Sequence, residues 1–168
     1  VWKANLQNGL FMACIGMVYT FIVYSLNFML NPVQPYIFYA IQAAVLFFML
    51  RSFREKYRSG FVTYGQSFGA GMVIFVYFSI IMALFTFILY KFIDPTLIDE
   101  QLAHAEQLLV DTGIPQSSID MAVEMQTALL TPTFISLTSI FSTLLYGTVF
   151  SLIISIFIKK EQNPLLEN

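Results

Sequence analysis

Between Lys3 and Arg51 the chain runs through 47 residues, positions 4–50, without one Asp, Glu, Lys or Arg. A helix needs about 20 apolar residues to cross the hydrocarbon core of a bilayer, so this stretch is long enough to cross twice. Inside lipid, backbone N–H and C=O groups must be paired within the protein, which favours helices for a chain of this kind. Composition points the same way: 58% of residues are hydrophobic and only 11% charged, against about 25% charged in an ordinary soluble domain. The aromatic content of 17% is the opposite of the disordered signature. The chain reads as an all-α integral membrane protein.

Four spans are expected, at about residues 10–30, 36–50, 68–93 and 132–158, within a single membrane domain covering 1–168. Asn31-Pro32 and Val33-Gln34-Pro35 close the first span with a turn, because a proline disfavours helix in the residue before it. The second span is short and is followed by a compact basic loop, Arg51 to Gly60. The residues after Lys160 form a short polar tail. No cleavable signal peptide is visible, since the first apolar run is long and lacks a small-residue cleavage pattern.

The net charge of −2 hides a strong segregation. Lys3, Arg51, Arg54, Lys56, Arg58, Lys159 and Lys160 fall on one side of a four-crossing protein, and the positive-inside rule makes that side cytoplasmic, with both termini there. Lys91 is the exception, explained by snorkelling from near a helix end. Seven of the ten acids (Asp94, Asp99, Glu100, Glu106, Asp111, Asp120 and Glu124) lie in one segment that has no Lys or Arg.

That segment, about 94–131, is expected to be an extracytoplasmic amphipathic hairpin of two helices. Asp94-Pro95 reads as an N-cap with proline at the first helical position. Leu97, Ile98, Leu102, Ala105, Leu108 and Leu109 then recur at helical spacing until Gly113 and Pro115. A second start is expected at Ser117, with Asp120 three residues on as in a capping box.

Small residues mark two helix faces. Gly65, Gly69 and Gly71 open the third span, and Ser139, Thr143, Gly147, Ser151 and Ser155 recur every fourth residue along the last. Such faces let helices approach closely in lipid, so both are expected to serve helix packing. The alternative is an oligomeric passive channel whose pore the hydroxyl ridge would line. Asn27 and Gln42 are the amides placed far from a charged end, and interhelical hydrogen bonding is their expected role. No Asp, Glu, Arg or His lies centrally in a span, which weighs against proton relays, ion-coupled transport and voltage sensing.

Chemistry is hard to find. His104 is the sole histidine, and Glu100 four residues earlier shares its helix face, with Glu106 and Asp111 as further carboxylates. A zinc site needs three or four ligands, so a solvated histidine is the expected reading and an outer-face enzyme the remote alternative. Neither a phosphate-binding loop, a dinucleotide fingerprint nor a metalloprotease motif occurs. No catalytic residue, metal or other cofactor is expected. Cys14, alone in the chain, reads as a small packing residue. Arg51, Arg54, Lys56 and Arg58 form the densest charge cluster, expected to dock a protein partner or lipid head groups, each basic residue being worth about 1 kcal/mol near an anionic surface. Nothing points to nucleic acid.

Residues 60–69, Gly-Phe-Val-Thr-Tyr-Gly-Gln-Ser-Phe-Gly, resemble the glycine-rich entry to the third span of a family of small bacterial four-helix membrane proteins, known as a domain of unknown function. Tyr90-Lys-Phe-Ile-Asp-Pro95 resembles its exit from that span. Met121 to Pro132 and Ser151 to Glu161 also fit the pattern. The resemblance implies architecture and a bacterial inner-membrane location, and no activity. The expected function is therefore a non-enzymatic scaffold or accessory subunit of a membrane complex, in one version anchoring a cytoplasmic enzyme that works on lipid-linked substrates. A protein partner or a homo-oligomer is expected.

Overall fold

The computed structural model describes residues 2–161, in which six α-helices follow one another and no strand forms. They are α1 (Trp2–Ser25), α2 (Gln34–Tyr57), α3 (Tyr64–Ile88, continued by a π-helical turn over Leu89–Ile93), α4 (Thr96–Asp111), α5 (Gln116–Leu129) and α6 (Pro132–Ile158). Four helical stretches are long and apolar enough to cross a membrane: Trp2–Ser25, Gln34–Tyr57, Tyr64–Ile93 and Pro132–Ile158. The chain is a multi-pass, all-helical membrane protein. The expected polar tail after Lys160 lies outside the described residues beyond Glu161.

Several span boundaries differ from expectation: the first span starts at Trp2 instead of about 10 and the third at Tyr64 instead of about 68, and the ends of the first two also move. The first span stops at Ser25 instead of Leu30, because Asn27 takes a left-handed conformation (φ 52°). Phe28 N–H donates to the Val23 carbonyl at 2.9 Å and Asn27 N–H to the Tyr24 carbonyl at 3.0 Å. This is the paired 6→1 and 5→2 closure of a Schellman motif, where asparagine tolerates the left-handed position. Asn27 is thus a helix terminator outside α1, not an amide buried in a span.

The second span continues through the basic residues, so Arg51 to Tyr57 are its last two turns and not a loop. Leu46, Met49, Leu50 and Phe53, buried at helical spacing, carry the packed stripe past the first charge. Arg51 Nε supports the same turn through Glu55 Oε1 at 3.0 Å, four residues on. Only Arg58 to Thr63 connect α2 to α3. Thr63 and Gln66 then close a reciprocal capping box, each side chain meeting the other's backbone N–H at 3.3 Å.

The chain packs as two compact units, residues 1–81 with 141–168, and residues 82–140. In the first, α1 and α2 run antiparallel: the Tyr19 hydroxyl donates to the Gln34 carbonyl at 3.0 Å, and its ring stacks on Phe38. Its core includes Met12, Leu46, Leu50, Ile74, Phe75 and Ile158, each at most 1% exposed.

In the second unit, Leu97 of α4 and Ile119 of α5 are the buried apolar anchors outside the spans. The Gln101 amide of α4 donates to the hydroxyl of Tyr90 in the π-helical turn. Lys91 lays its ammonium over the rings of Phe87 and Phe92, at 5.0 and 5.6 Å. Asp94 caps the start of α4, its carboxylate accepting the Thr96 N–H at 3.1 Å. The expected capping box at Ser117 does not form. Pro115 enters the helix with an extended ψ of 140°, α5 begins one residue earlier, and Asp120 instead accepts from the Gln116 side chain at 2.9 Å.

Candidate functional site

The antiparallel pair α3–α6 is set by small residues. A Cβ added at Gly71 would lie 2.5 Å from Ser151 Oγ, and one added at Gly147 would enter the Phe75 ring. Val62 and Lys160 pair through backbone hydrogen bonds of 2.9 Å in both directions. In all three pairs (62 with 160, 71 with 151, 75 with 147) the residue numbers total 222. One antiparallel register therefore runs from the 62–160 bridge to the 75–147 contact, its helical part from Tyr64 to Phe75 covering about 17 Å at 1.5 Å per residue. It also sets Ser67 against Ser155, both wholly buried.

The hydroxyl ridge of α6 is turned into the chain. Ser151 and Ser155 are 0% exposed and Thr143 7%, while Ser139 is half-buried with its hydroxyl bonded to the Ser136 carbonyl at 2.7 Å. At Gly147 and Ser151 the ridge meets α3, as the expected packing role requires. On α3 the glycines divide. Gly71 is in tight contact, whereas Gly65 and Gly69 would meet nothing within 4 Å of an added Cβ. Their four-residue spacing is the same, but they face away from α6.

One close approach escaped sequence reasoning. A Cβ at Gly9 would lie 2.5 Å from Tyr77 Cβ and 3.3 Å from the Ile74 carbonyl, so α1 meets α3 at a glycine. The signal was present in the sequence: Ala13 and Gly16 follow Gly9 by four and seven residues, a small-residue stripe on the buried side of α1.

Gln42 is buried, 2% exposed, beside the Tyr146 hydroxyl but short of hydrogen-bond geometry. Neither its amide nitrogen nor its amide oxygen has a hydrogen-bond partner among the described residues, so the expected interhelical bond is not formed.

The basic cluster becomes a built surface at one end of the first unit. Arg54 reaches across 104 residues of sequence to donate from Nη1 to the Ile158 carbonyl at 3.0 Å. With the Val62–Lys160 pairing, this fastens the end of α2 and the α2–α3 connection to the end of α6. Arg51, Lys56, Lys159 and Lys160 are exposed around that junction, Arg58 is half-buried, and Lys160 lies over the Phe61 ring at 5.6 Å. A shallow cleft of about 330 Å³ opens beside it, lined by Phe61, Thr63, Gln66 and Lys160 among others. The antiparallel order of α1 and α2 brings Lys3 toward the same end. The four cluster residues thus have separate roles: Arg54 holds the helices together, and Arg51, Lys56 and Arg58 border the surface.

His104 and Glu100 are exposed on α4, as are Glu106 and Asp111. Among the described residues, no three His, Cys, Asp or Glu side chains come together as a metal site would require. Cys14 is exposed on α1, facing outward rather than packing inside, because Met12, Ala13 and Gly16 occupy the buried side of that helix.

The chain belongs to the family described as protein of unknown function (DUF4199), whose profile matches residues 7–160. No curated protein and no solved structure matches it.

Proposed function

We propose that this protein is a non-enzymatic accessory subunit of a bacterial inner membrane, with both termini in the cytoplasm, holding a cytoplasmic protein partner at its basic end. The observation that carries this reading is the fastening of that end. The Arg54–Ile158 hydrogen bond and the Val62–Lys160 pairing join α2, α3 and α6 into one platform. A platform whose backbone is already fastened loses less conformational entropy when a partner binds. Its excess of Lys and Arg complements an acidic partner, and complementarity of this kind steers encounter and sets register. The same excess supports a cytoplasmic position for it under the positive-inside rule. Anionic lipid head groups at that face reinforce the binding of an enzyme that itself works on lipid-linked substrates, which is one form the partner takes.

The test is gentle extraction of the tagged full chain from its native membrane, followed by native-mass sizing. A stoichiometric cytoplasmic partner is expected, and Arg51→Glu, Lys56→Glu and Arg58→Glu together remove it while the chain still inserts. Arg54 is left intact in this variant because its loss would loosen the helices themselves. Recovery of the chain alone, or only as copies of itself, overturns the reading.

A further inference from the structure

We infer that the outward face of α5 takes a cationic amphipathic helical segment of another protein. The inference rests on the accessory-subunit reading and deepens it, by giving the complex a second contact of different chemistry from the basic platform.

At 16 and 14 residues, α4 and α5 are too short to span a bilayer, which takes about 20. Their apolar exposure is therefore not accounted for as the lipid-facing side of a span. Met121 is 69% exposed, Met125 59% and Leu129 47%, and Leu108 of α4 is 54% exposed. Met121, Met125 and Leu129 follow each other at intervals of four, so they form one continuous rail along α5. Ile119 carries the inward side. The apolar rail is left uncovered by the described residues.

Charge decides the occupant. Asp120 and Glu124 each precede a methionine of the rail by one residue, so an acidic rail runs parallel to the apolar one about 100° around the helix. The surrounding segment, 94–131, holds seven acids and no Lys or Arg. Helices that lie on membranes carry Lys and Arg on the polar face to meet anionic lipids. This one carries the opposite sign and would be repelled. A second copy would present the same acids and be repelled as well. A helix with Leu-like residues on one stripe and Lys or Arg on the next fits both rails at once. Methionine suits the role, because its flexible, polarisable side chain adapts to varied apolar partners.

The test uses the purified full chain in nanodiscs of zwitterionic phosphatidylcholine, with empty discs as reference and a labelled amphipathic Leu/Lys helical peptide as probe. Saturable binding beyond that of empty discs is expected, weakening as salt rises, with the matching Leu/Glu peptide silent. Met121→Ser with Met125→Ser is expected to weaken binding about tenfold, and Asp120→Asn with Glu124→Gln to remove its salt dependence. Both pairs are exposed, and retained helicity and disc incorporation certify folding. Equal binding of the Leu/Glu peptide, or unchanged binding by the serine variant, overturns the inference. A fluorophore at position 125 quenched by brominated lipid overturns it too, since the face would then lie in the bilayer. Because no native partner is present, a negative result here leaves the co-extraction result at the basic platform standing, and the reverse also holds.

Discussion

Gly71 and Ser151 stand so close that a Cβ at position 71 would lie 2.5 Å from the serine hydroxyl and 3.0 Å from its Cβ. Gly71→Ala is therefore expected to push α3 off α6 and to cost about 1–3 kcal/mol, the usual range for overpacking a well-filled contact. Ser151→Gly in the same molecule clears the space and is expected to restore much of the loss. Thermal unfolding in detergent of the two single variants and the double variant reads the coupling directly. Strict additivity would mean that the two residues do not meet.

The neighbouring glycines give the opposite sign. Gly65→Ala and Gly69→Ala place a methyl where nothing lies within 4 Å, and alanine is the better helix former by about 0.5–1 kcal/mol. Both variants should unfold at the same temperature as the parent or above it. A drop comparable to that of Gly71→Ala would show a contact at those positions with something outside the chain.

Asn27, at φ 52°, should accept glycine and reject β-branched residues. Asn27→Gly is expected to be neutral or mildly stabilising, and Asn27→Val to cost about 1–2 kcal/mol, the penalty of a side chain in the left-handed region. Unfolding midpoints in detergent distinguish the two.

Arg54 and Lys56 are near neighbours with different duties. Arg54→Ala removes the hydrogen bond to the Ile158 carbonyl at 3.0 Å, and a charged donor of this kind is worth about 1.5–3 kcal/mol when lost. Because the side chain keeps 18% of its exposure, solvent offsets part of that, and the lower end is expected. Lys56→Ala, on an exposed side chain, should leave the unfolding midpoint unchanged.

Sidedness is read by cysteine labelling in a Cys14→Ser background. Lys56→Cys is expected to be shielded from a membrane-impermeant maleimide added to intact spheroplasts, and Glu106→Cys to be modified at once. The reverse pattern would invert the orientation.

The spans were legible because hydropathy over 20 residues is a collective property that no single position can hide. Their ends were not. Arg51 signals the end of an apolar run, yet the buried stripe of Leu46, Leu50 and Phe53 continues the helix beyond it. A charge on one side of a helix says nothing about the other side. Asn27 shows the converse, a terminator that hydropathy does not register because its effect lies in a backbone angle. Closeness in sequence likewise made Gly65, Gly69 and Gly71 look equivalent, and the four-residue spacing favoured the first two, although only the third meets α6. Which face of a helix is used depends on the neighbour, and a single stretch of sequence does not name its neighbour. Gly9, Ala13 and Gly16 share one face of α1, yet nothing in that stretch says that the face meets α3.

The constant total of 222 along α3 and α6 has a consequence for how this family can vary. Insertion of one residue between Gly147 and Ser151 would rotate everything after it by about 100°. It would swing Ser151 and Ser155 toward lipid and break the match of Lys160 with Val62. No single insertion in α3 restores all the contacts, since the two helices count in opposite directions. Length change is thus forbidden in the middle of both helices and free at their outer ends. Relatives should differ in length between α3 and α6, in the 94–131 segment, while the stretches 62–75 and 147–160 keep their count residue for residue.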